Sequence, residues 1–294
     1  MNKVGFIGVG IMGKSMVRNL MKAGFELHIY ARTKSKVEDV ISEGAQFHES
    51  IKDCVQDCDA VITIVGFPQD VEEVYFDQGN ILDSAKKGAY LIDMTTTSPQ
   101  IAEKIYAEGT KRGFHVMDAP VTGGDTGAKA GTLSILVGGE KEDYEACMPL
   151  FEAMGTNINY QGKAGCGQHC KLANQIMIAG TLSGVCEALT YAKEQGLDPE
   201  VFMKSVATGA AGSKQLDTFG PKILKDDYAP GFFMKHFIKD MKLALIEANR
   251  KGLSLDVLSM VLANYEELEQ EGYGDLGTQA LMKFYDEEHR NTEE

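Results

Sequence analysis

Lys3-Val4-Gly5-Phe6-Ile7-Gly8-Val9-Gly10-Ile11-Met12-Gly13 is the stretch on which the fold turns. An apolar, β-prone run ends at Gly8, and a helical pattern over Ser15–Ala23 follows almost at once. Glycines spaced G-x-G-x-x-G between a strand and a helix carry a dinucleotide-binding reading that the bare pattern lacks. The first glycine permits the tight turn, the second lets a pyrophosphate approach the backbone, and the third lets helix and strand pack closely. Unpaired N–H groups at the helix start would then face the pyrophosphate, with Ile11 and Met12 in the turn itself. The bland alternative is a glycine turn that serves structure alone.

Working outward, further strand candidates are Leu27–Tyr30, Ala60–Val65, Tyr90–Met94, Phe114–Asp118, Leu133–Val137 and Ile158–Tyr160, with helical patterns such as Pro99–Lys111 between them. Strands alternating with helices predict an α/β Rossmann domain with a doubly wound, mostly parallel sheet over residues 1–162. After Gly162 the texture changes. A long helical pattern runs from Gly167 to Gly196, and Asp198-Pro199 opens another helix. Pro221, Pro230-Gly231, Gly252 and Gly272 punctuate the remainder. Residues 163–294 therefore read as an all-helical domain that begins with a long connecting helix.

Composition narrows the partners. The 294 residues carry 43 acidic and 29 basic side chains, a formal charge of -14 that argues against nucleic acid or an anionic membrane surface. No stretch is expected to reach the roughly 20 apolar residues of a membrane span. The apolar run after Lys3 is too short for a secretory leader. Six cysteines without the density of a disulfide scaffold complete the expectation of a reduced, cytoplasmic protein.

The end of the second strand chooses the nucleotide. An NAD enzyme usually places an acid there for the ribose hydroxyls. Here the sequence reads Tyr30-Ala31-Arg32-Thr33-Lys34, with no acid until Glu38. Arg32 and Thr33, supported by Lys34 or Lys36, would bind a 2′-phosphate, so NADP is favoured and NAD remains possible. A solvated basic turn is the alternative. Val65, closing its strand, joins the cofactor set.

Three segments could carry chemistry on a carbonyl. Asp118-Ala119-Pro120-Val121-Thr122-Gly123-Gly124 follows a strand, where a hydroxyl and two glycine N–H groups suit a carboxylate; a ligand-free glycine turn reads equally well. Lys171, Asn174 and Gln175 share one helix face, which suits an oxygen-rich substrate but also an ordinary solvated face. Lys239-Asp240 adjoins apolar residues, with surface ion pairing as its alternative, and Thr95 could lie near a nicotinamide. No metal site is expected, because Cys166, His169 and Cys170 lack matching zinc ligands elsewhere. Whether Cys166 and Cys170 respond to oxidation stays open.

Taken in order, these segments resemble the β-hydroxyacid dehydrogenase family, which includes 3-hydroxyisobutyrate dehydrogenase and the tartronate and glyoxylate/succinic semialdehyde reductases. The match spans nearly the whole chain: Val4 to Gly13; Asp118 to Gly124 with Gly127, Gly131-Thr132-Leu133 and Gly138-Gly139; Gly165, Gly167, Lys171 and Asn174; and Lys239-Asp240. The resemblance implies Lys171 as acid/base, Thr122, Gly123, Gly124 and Asn174 as substrate ligands, and Thr95 and Lys239 near the cofactor. It implies a small carboxylate-bearing hydroxy acid or semialdehyde as substrate, and a homodimer or homotetramer. Thr122 stands where the family often has Ser. Asn174-Gln175 matches the tartronate semialdehyde reductases, whereas Arg32-Thr33 looks like the glyoxylate/succinic group, so the substrate and the physiological direction stay open. Two rivals are a non-catalytic dinucleotide-binding module and an NAD-dependent 3-hydroxyisobutyrate dehydrogenase. A decarboxylating sugar-acid dehydrogenase would need basic residues for a phosphate that the chain does not display.

Overall fold

The computed structural model describes residues 1–286. Nine strands form one sheet: β1 (Lys3–Ile7), β2 (Glu26–Tyr30), β3 (Gln46–Phe47), β4 (Ala60–Thr63), β5 (Tyr90–Asp93), β6 (His115–Asp118), β7 (Val121–Thr122), β8 (Leu133–Gly139) and β9 (Gly155–Gly162). Their order is β3-β2-β1-β4-β5-β6-β8-β7, with β9 also on β8. All pairs from β3 to β6 are parallel, and β8 runs antiparallel to β6 and β7. This is the doubly wound, mostly parallel sheet that the alternating pattern predicts.

Apolar strand sequences follow from burial on both faces. Val4, Phe6, Ile62 and Ile92 pack into one core, while Val61, Leu91 and Val116 pack into another. From β1 the chain winds outward to β2 and β3, then returns to place β4 on the other side with Val4 opposite Ala60 and Ile7 opposite Thr63. That reversal opens a crevice beyond the carboxyl ends of β1 and β4, the usual ligand position in such sheets.

One compact unit runs from Met1 to Lys171, and the second begins at Leu172. The division falls inside the long helix Cys166–Glu194, whose first turns pack with the sheet residues. In the second unit, Leu172, Ala179, Leu182, Val185 and Leu189 of that helix share a core with Phe237, Met241, Val261 and Tyr265. The 29-residue helix is long and apolar enough to cross a membrane by length and composition, which corrects the expectation that no stretch approaches that limit. Part of that apolar content lies on its buried face, with Leu172, Ala179, Leu182, Val185 and Leu189.

Asp198 accepts from the N–H groups of Glu200 and Val201, and Pro199 starts the helix Pro199–Val206 as its sequence predicts. Pro221 does not punctuate. It lies inside the helix Lys214–Ile223, where it supplies no N–H to the carbonyl four residues before it, and the helix ends two residues later. Glycines at 252 and 272 do follow the helices Met234–Arg250 and Asp256–Gln270, both with positive φ.

Candidate active site

At the end of β1, the first helix, α1 (Ile11–Lys22), begins at Gly10 with no side-chain cap and no acid in its first turn. Its leading N–H groups therefore suit an anion. A Cβ on Gly8 would lie 2.1 Å from the Ile64 carbonyl oxygen, and one on Gly13 would lie 2.1 Å from the Gly8 carbonyl oxygen. The protein's own packing demands these two glycines. At Gly10 a Cβ would meet nothing within 4 Å, so space lies open above the middle glycine. That contrast fits a dinucleotide pyrophosphate, which needs closely approachable backbone at the second position. Ile11 is exposed and Met12 half-buried beside it.

Beyond β2, Arg32 Nη2 donates to Asp70 Oδ1 at 2.6 Å and to Glu73 Oε2 at 3.0 Å. Both acids lie on the helix Pro68–Phe76. The absence of an acid near Arg32 in sequence is thus not an absence in space. Thr33 precedes a 3₁₀ turn over Lys34–Lys36, and its carbonyl accepts from the Lys36 N–H at 3.2 Å. Lys34 pairs with Glu49 at 3.5 Å and stacks its ammonium over Phe47, while Lys36 is exposed.

A buried polar network closes β4 and β5. Thr63 Oγ1 donates to Asp93 Oδ1 at 2.8 Å, the Thr95 N–H reaches the same oxygen at 3.1 Å, and the Val65 N–H donates to Thr95 Oγ1 at 3.0 Å. Val65 and Thr95, separated by two helices and a strand in sequence, are therefore directly bonded. Burial pushes the Asp93 carboxyl up to about 6.

Asp118 ends β6 and fixes the start of the long helix. Its Oδ1 accepts from the Gly165 N–H and its Oδ2 from the Gln168 N–H, each at 2.8 Å. Burial raises its carboxyl despite these two donors. Gln168 then spans to the loop after β5, accepting from the Thr97 N–H at 3.0 Å and donating to the Thr95 carbonyl at 2.7 Å. Neither Gln168 nor Asp93 stands out in the sequence; the legible signal for Gln168 is its place one helical turn before Lys171. Lys171 itself is buried, at 7% exposure.

The substrate loop holds Thr122 on β7, half-buried, followed by Gly123 and Gly124 with φ of 129° and 64°. Two successive positive φ values turn the backbone as only glycines readily allow. In the second unit, Asn174 Nδ2 donates to Gln175 Oε1 at 2.8 Å, and Gln175 Nε2 donates to Asp240 Oδ2 at 2.7 Å. Lys239 Nζ sits 3.0 Å from Asp240 Oδ1. Asp240 has no solvent exposure, so the surface ion pair considered for Lys239-Asp240 is instead a buried one. These bonds join Asn174 and Lys239, 65 positions apart, through one carboxylate and one amide.

Comparison with known proteins bears on this arrangement. Residues 3–162 match the model of the NAD-binding domain of 6-phosphogluconate dehydrogenase. Residues 165–285 match the NAD-binding domain of NADP-dependent 3-hydroxyisobutyrate dehydrogenase. An uncharacterized oxidoreductase of Bacillus subtilis is 49% identical over 96% of this chain and 98% of its own. The chain belongs to the β-hydroxyacid dehydrogenase family. It is an NAD(P)-dependent oxidoreductase acting on CH–OH groups. The 2-hydroxy-3-oxopropionate reductase of Escherichia coli is 37% identical over 86% of each chain. A Mycobacterium tuberculosis 3-hydroxyisobutyrate dehydrogenase, solved with L-serine, superposes with a TM-score of 0.88 at 26% identity, covering 96% of this chain and 98% of that one. In this β-hydroxyacid dehydrogenase, Cys166 and Cys170 lie half-buried in the first turns of the long helix, and burial pushes the Cys170 thiol up.

Proposed function

We propose that this family member prefers NADP and interconverts a small β-hydroxy acid with its semialdehyde, using Lys171 as the acid/base. A nicotinamide nucleotide whose pyrophosphate is held at the glycine turn would supply or take up the hydride. The observation that carries the reading is the anchoring of Lys171. Asp118 and Gln168 fix the helical turn just before it, so a buried ammonium is held on a rigid element. In reduction, Lys171 Nζ gives a proton to the carbonyl oxygen; in oxidation it takes the proton from the hydroxyl. Thr122 and the N–H groups of Gly123 and Gly124 bind the carboxylate, and Asn174 orients the remaining oxygens. Thr95 and Val65 line the nicotinamide side, Lys239 supports it, and Arg32, Thr33 and Lys36 receive the 2′-phosphate. Residues 1–162 hold the nucleotide, and residues 163–294 complete the substrate side and carry self-association.

Two of the three relatives point to short substrates with a carboxylate and a β-oxygen. One is called a 2-hydroxy-3-oxopropionate reductase and the other was solved with L-serine. Oxidation of NADPH and NADH is therefore to be followed in parallel with glyoxylate and with succinic, tartronate and methylmalonate semialdehydes. Faster turnover with NADPH on one of these supports the reading and names the substrate. Lys171→Ala should lower turnover by about 10²-fold or more while leaving NADPH binding within about twofold. Near-normal turnover of that variant would sink the assignment of Lys171. Tight nucleotide binding without turnover on any of the four would favour a non-catalytic module.

A further inference from the structure

We propose that Asp70 and Glu73 set the balance between the two nicotinamide nucleotides by opposing a 2′-phosphate at Arg32. The inference rests on the reading that Arg32 and Thr33 receive that phosphate, and it adds two residues from a distant element. Asp70 and Glu73 reach Arg32 across 38 and 41 positions of sequence. The three side chains sum to a charge of -1, from one guanidinium and two carboxylates, where an arginine alone would offer +1. A dianionic phosphate arriving there meets a locally acidic cluster, whereas the ribose hydroxyls of NADH bring no charge to be repelled.

The geometry keeps the acids in place when the phosphate binds. Both ion pairs use the same nitrogen, Nη2, of a group that has five N–H donors. A phosphate can engage the other edge of the guanidinium without displacing either carboxylate, so the repulsion persists in the complex. Asp70 is held twice over: Oδ1 takes Arg32, and Oδ2 accepts from the Phe67 N–H at 2.9 Å at the start of its helix. It cannot swing aside without giving up that cap. Glu73 follows at i+3 on the same helix and is half-exposed. Of the two lysines that follow, Lys34 is paired with Glu49 and so offsets the cluster weakly, while Lys36 is exposed and makes no ion pair with Asp70 or Glu73.

Calorimetric binding to the full-length protein tests this with four probes: NADPH, NADH, 2′,5′-ADP and 5′-AMP. Glu73→Gln leaves the helix cap untouched and is the primary variant; Asp70→Asn and the double variant extend it. Glu73→Gln should tighten NADPH and 2′,5′-ADP by about threefold, with NADH and 5′-AMP unchanged, because exposed charge pairs act at that scale. The gain should shrink as salt rises from about 20 mM to about 0.5 M. Unchanged binding of all four probes, with Arg32→Ala still weakening NADPH selectively, would overturn the proposal and leave the phosphate reading of Arg32 intact. Weaker NADPH binding in Glu73→Gln would also overturn it, since the acids would then be holding the guanidinium ready for the phosphate. Should Arg32→Ala weaken NADPH and NADH alike, the phosphate reading fails and the proposal falls with it.

Discussion

Asp93 is a carboxyl with an unequal division of labour between its oxygens. Oδ1 accepts from Thr63 and from the Thr95 N–H, while Oδ2 has no hydrogen-bond partner among the described residues. With no exposure to water beyond 2%, its ionised form is poorly compensated, and its pKa rises to about 6. An unfolded aspartate titrates near 3.9. The folded state therefore holds the proton more tightly, and its stability falls as pH rises from about 4 through 6 and levels off above 7. Asp93→Asn cannot titrate and keeps an Oδ1 acceptor for both donors. Relative to wild type, this variant should gain about 1 kcal/mol between pH 5 and 7.5, read as a pH-dependent difference in Tm. A difference flat with pH would mean that the buried carboxyl is compensated by something other than its proton.

The turn from β1 into α1 separates two roles that one motif merges. At Gly13 an added methyl group would strike backbone, so Gly13→Ala should cost about 2 kcal/mol of stability and show it in Tm without any ligand. At Gly10 the space is open, so Gly10→Ala should fold within about 0.5 kcal/mol of wild type yet bind nucleotide about tenfold more weakly. Equal effects in the two variants would deny the division. The start of the long helix offers a second test: Asp118→Ala strips the acceptor from two buried N–H groups and should cost about 3 kcal/mol in chemical denaturation. The glycine turn and the longer elements are legible because each depends on neighbours in sequence, whereas the hold of Asp118 on Gly165 and Gln168, 47 and 50 positions away, is not. Strand runs such as Ala60–Thr63 are continuous and apolar, and Pro99–Lys111 has its helix-start proline beside the capping Ser98. β3 and β7 were not legible, since two residues cannot display a period. Nor were the acids at Arg32 or the bond from Val65 to Thr95, because only the winding of the sheet brings them together.

Across the whole molecule, exposed apolar side chains are distributed unevenly. Nine of the thirteen large ones among the described residues lie after Leu172, although that unit is the shorter. On the long helix, Met177 and Tyr191 are 74% and 67% exposed, and Gly180 and Gly184 lie between them. Val257, 60% exposed, borders the same stripe, with a methyl 3.6 Å from where a Cβ on Gly180 would stand. Exposed apolar side chains flanking small residues suit close approach of a second helix, and exposed apolar surface of this kind marks association sites. The partner proposed is a second copy of the chain. Its formal charge of -14 then opposes pairing, because two such chains repel one another at a distance. Self-association should consequently strengthen with salt, as screening removes repulsion faster than it weakens apolar contact. Light scattering on the purified protein should give more than one chain per particle, with more assembly at about 0.3 M salt than at about 0.03 M. Met177→Lys combined with Val257→Glu should return single chains with an unchanged far-UV spectrum, since both side chains are exposed in the unit itself. A wild-type protein that scatters as one chain at both salt concentrations would remove self-association from the function of the helical unit.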